Sequence, residues 1–393
     1  APAGGVIVTP GEAGIGLPSA SIPKSPHPRI AVVTGDHPHP GAGSLQAGVA
    51  IGKAARLART SREVWVLLSG GATSLAAAPI DGVSASDLTA LFSVLQGSGL
   101  DISAMNTVRK RFSRWGAGRL AVALHPARVR ALVISDVIGD DLSAIGSGPC
   151  VPDATTAAEV RQILVDADLW QRIPEAIRVE LERTERDTFL ETPKSDHPCF
   201  KSVESTIIAN NRTALDGAGR RARELGLQTV LVKEPISGDA ASAGNLLVRG
   251  LFDHPATGDL SASHGAVSCL IAGGETVVRL NATDPASSNR DPDATLGGRC
   301  QELALSAARA LREMTGKKSA LLAAGTDGRD GPTDAAGAIV DVTTWDRIQS
   351  AGRFPDHDLA RHDSYNALNS VGALLRTGFT GTNVADIVIV SQG

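Results

Sequence analysis

Leu321-Leu-Ala-Ala-Gly-Thr-Asp-Gly-Arg-Asp-Gly-Pro-Thr-Asp-Ala-Ala-Gly337 decides how the rest of the chain is read. Its small and apolar opening predicts a buried parallel strand. It then breaks into a loop that carries Asp327, Asp330 and Asp334 between Gly328, Gly331 and Pro332. In open α/β sheets, ligands bind at the loops that follow strand C-termini. Three carboxylates on one loop repel one another unless a cation or an arginine neutralises them. Each aspartate alone equally suits a turn or a helix cap. The cluster favours a metal- or phosphate-organising role.

Outward from that loop, 393 residues are enough for two domains with ample cores. The net charge of −4 and a pI near 6.2, with Lys and Arg scattered, argue against nucleic acid as the main partner. Glycine is abundant at 42 residues and aromatics are only 3%, which fits an α/β enzyme with tight strand-to-helix turns. No apolar run approaches the ~20 residues that span a bilayer. The first ten residues lack a basic segment ahead of an apolar one, so no signal peptide is expected. Cys150, Cys199, Cys269 and Cys300 form no Cys-x-x-Cys pair, which points to reduced thiols in a cytoplasmic protein.

Strands are predicted at 5–9, 30–34 and 63–68. His37-Pro-His-Pro40 reads as a rigid turn with solvated rings more than as a metal site. A helix at 44–59 contains Gly52-Lys53-Ala54-Ala55, which lacks the glycines and the Ser or Thr of a Walker A loop and predicts a surface lysine. The strand at 63–68 runs into Ser69-Gly-Gly-Ala-Thr-Ser74, where Ser69, Gly70, Gly71 and Thr73 make a cradle a phosphate can approach. Arg109, Lys110, Arg111, Arg114 and Arg119 make 101–120 the most basic stretch. A solvated helix face accounts for most of them, but Arg119 directly follows a Gly-Ala-Gly break and is placed to meet an anion. A strand at 131–135 ends in Asp136-Val-Ile-Gly-Asp140-Asp141, followed by Ile145-Gly-Ser-Gly-Pro149. Residues 153–156 cap a helix to about 167, and the charged, proline-containing stretch 183–203 suits a domain boundary.

In the second half, a strand at 205–209, a helix at 212–225, a strand at 229–233 and a helix at 240–251 make a β-α-β unit, followed by a polar insertion at 255–264. Strands at 266–272 and 277–280 flank Gly273-Gly-Glu275-Thr276. Gly297-Gly-Arg-Cys-Gln-Glu302 opens a helix over 301–314. Arg299 there sets a cation against the positive end of the helix dipole, a local conflict of the kind expected at a functional site. A helix near 343–352 and Gly378-Phe-Thr-Gly-Thr-Asn383 precede a closing strand at 387–390.

Leu68-Ser-Gly-Gly71, Asn106-Thr-Val-Arg-Lys110, Ser135-Asp-Val137 with Gly139-Asp140, Ser147-Gly-Pro149, Gly273-Gly-Glu275, Gly297-Gly-Arg299 with Gln301-Glu302, the 326–337 loop and Gly381-Thr-Asn383 together resemble the glycerate 2-kinases that carry a C-terminal MOFRL domain. The pieces occur in that family's order over nearly the whole chain. The resemblance implies an α/β fold of two three-layer domains, Rossmann-like over 1–200 and a C-terminal region over 201–393 whose MOFRL part spans about 266–392, with a cleft between them. It implies transfer of the γ-phosphoryl of ATP to the 2-hydroxyl of D-glycerate or a close 2-hydroxy acid, with Mg²⁺, no nucleic-acid or membrane partner, and a homodimer left open.

In residues, the resemblance makes Arg299 the stabiliser of the transferred phosphoryl and leaves Asp136 or Asp327 as base. It assigns Asn106, Arg109, Arg119 and Ser147 to the substrate, and Ser69, Gly70, Gly71, Thr73, Gly297, Gly298 and Asn383 to the nucleotide and its phosphates. Asp140, Glu275, Asp330 and Asp334 are its expected metal ligands. Three small departures stand out: Ala72-Thr73 for Gly-Ser, Gly116-Ala117 for Lys-Gly, and Cys300 for Asn. The family also opens with a further strand and helix bearing Gly-Lys-Ala-Ala. The present chain reads as starting after that point, as a fragment of a longer product would, and that lysine's role is not carried to Lys53. The rival expectations are an oxidoreductase of hydroxypyruvate or tartronate, which the lack of Gly-x-Gly-x-x-Gly disfavours, and a catalytically impaired binding homologue.

Overall fold

The computed structural model describes residues 4–11, 27–36, 40–253, 268–279, 295–314 and 318–393. The His37-Pro-His39 turn and the insertion at 255–264 lie outside the described residues. Two compact units divide the chain, Ala1–Ile208 and Ala209–Gly393.

In the first unit, β1 (Gly5–Pro10) and β2 (Ile30–Gly35) pair in parallel. Helix α1 (Ala42–Ala58) follows, its start tied down by Asp36, which accepts from Ser44 N at 3.1 Å. Gly48 and Gly52 give α1 a flat side against Trp115, whose indole N–H donates to Gly48 O at 2.9 Å. Lys53 lies on the exposed side of α1, a surface lysine. Next come β3 (Glu63–Leu68), α2 (Ala72–Leu75), α3 (Ala85–Gln96), α4 (Ile102–Phe112), α5 (Arg119–Leu124) and β4 (Arg128–Ile134). β3 and β4 are parallel, and β5 (Val203–Ala209) completes a three-stranded sheet in the order β3-β4-β5.

Helices α6 (Ala157–Asp166) and α7 (Glu175–Arg186) pack with α3 and α4 around Leu88, Leu91, Phe112, Val160, Leu164 and Ile177. Thr156 caps α6 by accepting from Glu159 N, while Asp153 is drawn into a buried ion pair with Lys110 at 2.8 Å. The stretch 183–203 is bound to this unit. Glu191 pairs with Arg111 at 2.7 Å, and Thr192 Oγ1 donates to Asp153 at 2.9 Å.

The second unit holds α8 (Asn211–Glu224), β6 (Thr229–Leu231), α9 (Ala240–Asp253), β7 (Cys269–Gly274), α10 (Arg299–Arg312), β8 (Ser319–Gly325) and β9 (Gly337–Asp341). It ends with α11 (Thr344–Ser350), α12 (Pro355–Ala360), α13 (Ser364–Asn369), β10 (Leu374–Leu375) and β11 (Asp386–Gln392). The sheet order is β10-β9-β8-β11-β7-β6. β6 and β7 are parallel, but β8 runs antiparallel to both β9 and β11. The parallel strand expected at 321–325 is thus corrected. Burial on both faces produces the same Ala- and Leu-rich run in either direction, and the loop 326–336 turns the chain straight back into β9.

The segment 277–280 is also corrected in its described part: Val277 makes a single bridge to Asp239 and no strand. Helix α10 is buried at every residue from Cys300 to Ala308, as a helix surrounded by other elements must be. A Cβ on Gly244 of α9 would sit 2.2 Å from Leu303 O, so the two helices meet backbone to backbone. Among the described residues no helix is long and apolar enough to cross a membrane. All four cysteines are buried and free.

Candidate functional site

In the second unit, the ends of three strands bring the glycine-rich motifs together. Asp386 opens β11 in register with Gly274 of β7 on one side and Gly325 of β8 on the other. Its carboxylate is buried and takes a two-pronged contact from Arg299, Nε to Oδ2 at 2.6 Å and Nη2 to Oδ1 at 3.0 Å. Arg299 Nη1 donates to Glu275 Oε1. Burial works against the Arg299 charge, but the Asp386 hydrogen bond and the Asp386 and Glu275 charges outweigh it and raise its pKa above the ordinary value. Asp386 had no motif to mark it, since one acid at the head of an apolar strand reads as a boundary residue.

The dipole conflict at the start of α10 is resolved by Asp330. Its Oδ1 accepts from Cys300 N at 3.1 Å and its Oδ2 from Gln301 N at 2.8 Å. Those are two of the donors that the first turn of a helix leaves free. Gly297-Gly298 therefore admits this capping carboxylate, and the capping alternative holds for Asp330. A Cβ on Gly298 would sit 2.3 Å from the Asp330 carboxyl carbon, and one on Gly297 would sit 2.3 Å from Ser364 Oγ. Burial pushes the Asp330 carboxyl up to about 7 in spite of its backbone hydrogen bonds.

Gly298 has φ −139°, open to any residue, so Gly298→Ala brings no backbone strain. The cost comes from the contact with Asp330. A loss of about 2–3 kcal/mol is expected in urea unfolding, because the short Asp330 side chain cannot yield without breaking its cap.

The other loop acids separate. Asp327 Oδ1 accepts from Arg329 N at 3.0 Å and lies near Gly325, as Asp386 does: a Gly325 Cβ would be 2.9 Å from Asp327 Oδ1 and 3.6 Å from Asp386 Oδ1. Asp334 turns away to Tyr365 Oη at 2.7 Å and Arg376 Nε at 2.9 Å. The Tyr365 hydrogen bond, then that of Arg376, holds its carboxyl below the usual range. Asn383 braces the approach to β11 by accepting from Ala385 N at 3.1 Å. Glu275, Asp330 and Asp334 are thus engaged separately. Among the described residues no group of three or more His, Cys, Asp or Glu is placed to hold a metal ion. The three expected metal ligands of this unit do not converge, and no metal-borne step is derived from them.

In the first unit, Ser69-Gly70-Gly71 passes beneath Asp136. A Cβ on Gly70 would fall 2.0 Å from Asp136 Oδ2, and Gly71 takes φ +77° to start α2. Thr73 Oγ1 and Ser147 Oγ are 3.0 Å apart. Ala117 N donates to Ser147 O at 2.7 Å and Gly118 N to Gly148 O at 2.8 Å, so the Gly-Ala-Gly turn before Arg119 is laced to the Ser-Gly-Pro turn. Asp140 sits in a tight turn at φ +58° after β4.

The basic stretch is not a solvated face. Lys110 and Arg111 are buried in ion pairs with Asp153 and Glu191, and Arg114 pairs with Asp81. Among the described residues Arg109 and Arg119 have no carboxylate partner. Arg119 Nη1 donates to Ser113 O at 3.2 Å and Lys110 O at 3.5 Å, and burial, then the Arg111 charge, lowers its pKa to about 10. Arg109 stacks over Phe92 at 4.9 Å with its Nε buried and unpartnered, and burial lowers its pKa. Asn106 lies one turn earlier, on the same side of α4. Asp153 and Glu180 support the Arg119 charge without pairing with it, so both guanidiniums keep N–H groups to offer an anion.

Comparison with known proteins agrees with these motifs. Residues 1–182 match the domain of unknown function DUF4147, and residues 268–386 match the MOFRL family. The chain is 37% identical over 361 residues to the glycerate 2-kinase of Pyrococcus horikoshii, covering 92% of this chain and 78% of that one. It is 36% identical over 368 residues to an Agrobacterium vitis protein provisionally named a hydroxypyruvate reductase, covering 94% and 89%. The crystal structure of the glycerate kinase from Thermotoga maritima superposes with a TM-score of 0.79 at 35% identity, over 98% of this chain and 84% of that one. The chain belongs to the glycerate 2-kinase family.

Proposed function

We propose that this protein is a kinase that moves the γ-phosphoryl of ATP to the 2-hydroxyl of D-glycerate, giving ADP and 2-phosphoglycerate. The observation that carries the reading is that Arg109 and Arg119, both in the first unit, make no ion pair among the described residues, which leaves guanidinium N–H groups for a small carboxylate substrate. Arg299 supplies the complementary charge for a phosphoryl group in flight, a role for arginine in phosphoryl transfer generally. The proton of the 2-hydroxyl passes to a carboxylate, Asp136 or Asp327, as the new P–O bond forms and the bond to the ADP oxygen breaks. The Ser69–Thr73 turn offers backbone N–H groups to phosphate oxygens. Mg²⁺ enters as part of the nucleotide substrate, held largely by phosphate oxygens and water.

The direct test supplies D-glycerate, ATP and Mg²⁺ and follows both ADP and 2-phosphoglycerate; no turnover of either sinks the proposal. The name of the Agrobacterium relative favours a second reading, reduction of hydroxypyruvate. Saturable NAD(P)H binding by fluorescence would support it. Arg119→Met is expected to raise KM for D-glycerate about 10–100-fold, the worth of one or two charge-assisted hydrogen bonds, with KM for ATP unchanged. An equal rise in both constants would remove Arg119 from the carboxylate site.

A further inference from the structure

We propose that Asp386 is the positioning residue that fixes the Arg299 guanidinium for phosphoryl transfer. The inference rests on the kinase reading above. A guanidinium offers five N–H groups in a rigid plane. Asp386 takes two of them and Glu275 one, so two remain for a phosphoryl oxygen.

Asp386 and Glu275 are unequal partners. Asp386 projects from a strand laddered on both sides, and Asn211 Nδ2 donates to its carbonyl at 2.9 Å and to that of Val384 at 2.8 Å. The residue before it, Ala385, is held at φ +65°, a conformation an alanine rarely takes. Thr326 Oγ1 donates to Ala385 O at 2.6 Å and accepts from Val384 N at 2.8 Å, fixing that turn. Strain held in place by its surroundings is found where a side chain's aim matters. Glu275, by contrast, follows β7 on a longer side chain that is 42% exposed, against 4% for Asp386. Asp386 therefore sets the plane, and Glu275 adds charge.

The test is a double-mutant cycle read on kcat. Asp386→Asn should lower kcat about 10²-fold while KM for D-glycerate changes little, because the loss falls on the transition state. Arg299→Ala with Asp386 intact should regain at least about tenfold in kcat on addition of millimolar guanidinium, which Asp386 can seat in place of the lost side chain. In Arg299→Ala/Asp386→Asn the same guanidinium should restore nothing, and the two losses should be far from additive.

Equal rescue in both backgrounds with additive losses would reduce Asp386 to a structural residue and overturn the proposal. Should the wild-type protein leave D-glycerate untouched, the kinase reading fails, and Arg299 is followed instead by peptide mapping after phenylglyoxal. Modification at least about tenfold faster in Asp386→Asn supports the clamp, and an unchanged rate overturns it.

Discussion

Arg299→Ala should lower kcat for glycerate phosphorylation by about 10³-fold or more, the scale for an arginine that meets the transferred phosphoryl. KM for D-glycerate should move only a few-fold, since the carboxylate is assigned to Arg109 and Arg119. The same change leaves Asp386 buried beside Gly274 and Gly325 without its cation. Removing one partner of a buried pair costs about 3–5 kcal/mol, and the half-exposed Arg299 end of this one brings the expectation to about 2–3 kcal/mol.

Arg299→Lys separates the two effects. An ammonium restores the charge opposite Asp386 and most of the stability, but it cannot bond both carboxylate oxygens in one plane while reaching a third group. Stability near wild type with kcat still depressed by about 10²-fold is the expected pattern. A folded Arg299→Ala protein with wild-type kcat would dismiss Arg299 from the chemistry.

Much of this was legible in the residues. Glycines at strand ends and at a helix start mark the turns at 69–71, 273–274 and 297–298, because each turn admits a neighbour where a Cβ would collide. What the sequence concealed was direction and pairing. β8 reads as parallel because burial on both faces, not ladder direction, determines its composition. The basic residues of α4 read as solvent-facing because Asp153 and Glu191, which bury Lys110 and Arg111, lie 43 and 80 positions further on. The acids of the 326–337 loop looked like one cluster, yet Asp330 turns inward to a helix start and Asp334 outward to Arg376. Asp386 pairs with Arg299 across 87 positions and carries no local signature at all.

The second large effect is a pH dependence that runs opposite to the usual acid lability. With its carboxyl near pH 7 in the folded chain against an ordinary 3.8, Asp330 keeps its proton through a range in which the unfolded chain has lost it. The folded state then binds more protons, so this group's contribution to stability falls as pH rises from about 4 to about 7. Three units at 1.36 kcal/mol each set an upper bound of about 4 kcal/mol. Acids such as Asp153 and Glu191, whose pKa values are lowered, act with the opposite sign, so the signal lies in the difference between wild type and Asp330→Asn.

An asparagine cannot titrate, and it sets an NH₂ group, which cannot accept, against one of Cys300 N and Gln301 N, where even the protonated Asp330 carboxyl keeps a hydroxyl oxygen able to accept. The variant should therefore be less stable than wild type at pH 4–5 by about 1–2 kcal/mol. That gap should close, and can reverse, by pH 8, where wild type has to hold a buried charge. Urea unfolding of both proteins at a series of pH values gives the comparison. A difference that stays constant from pH 4 to 8 would mean that Asp330 ionises normally. In that case the two N–H groups at the head of α10 suffice to carry its charge.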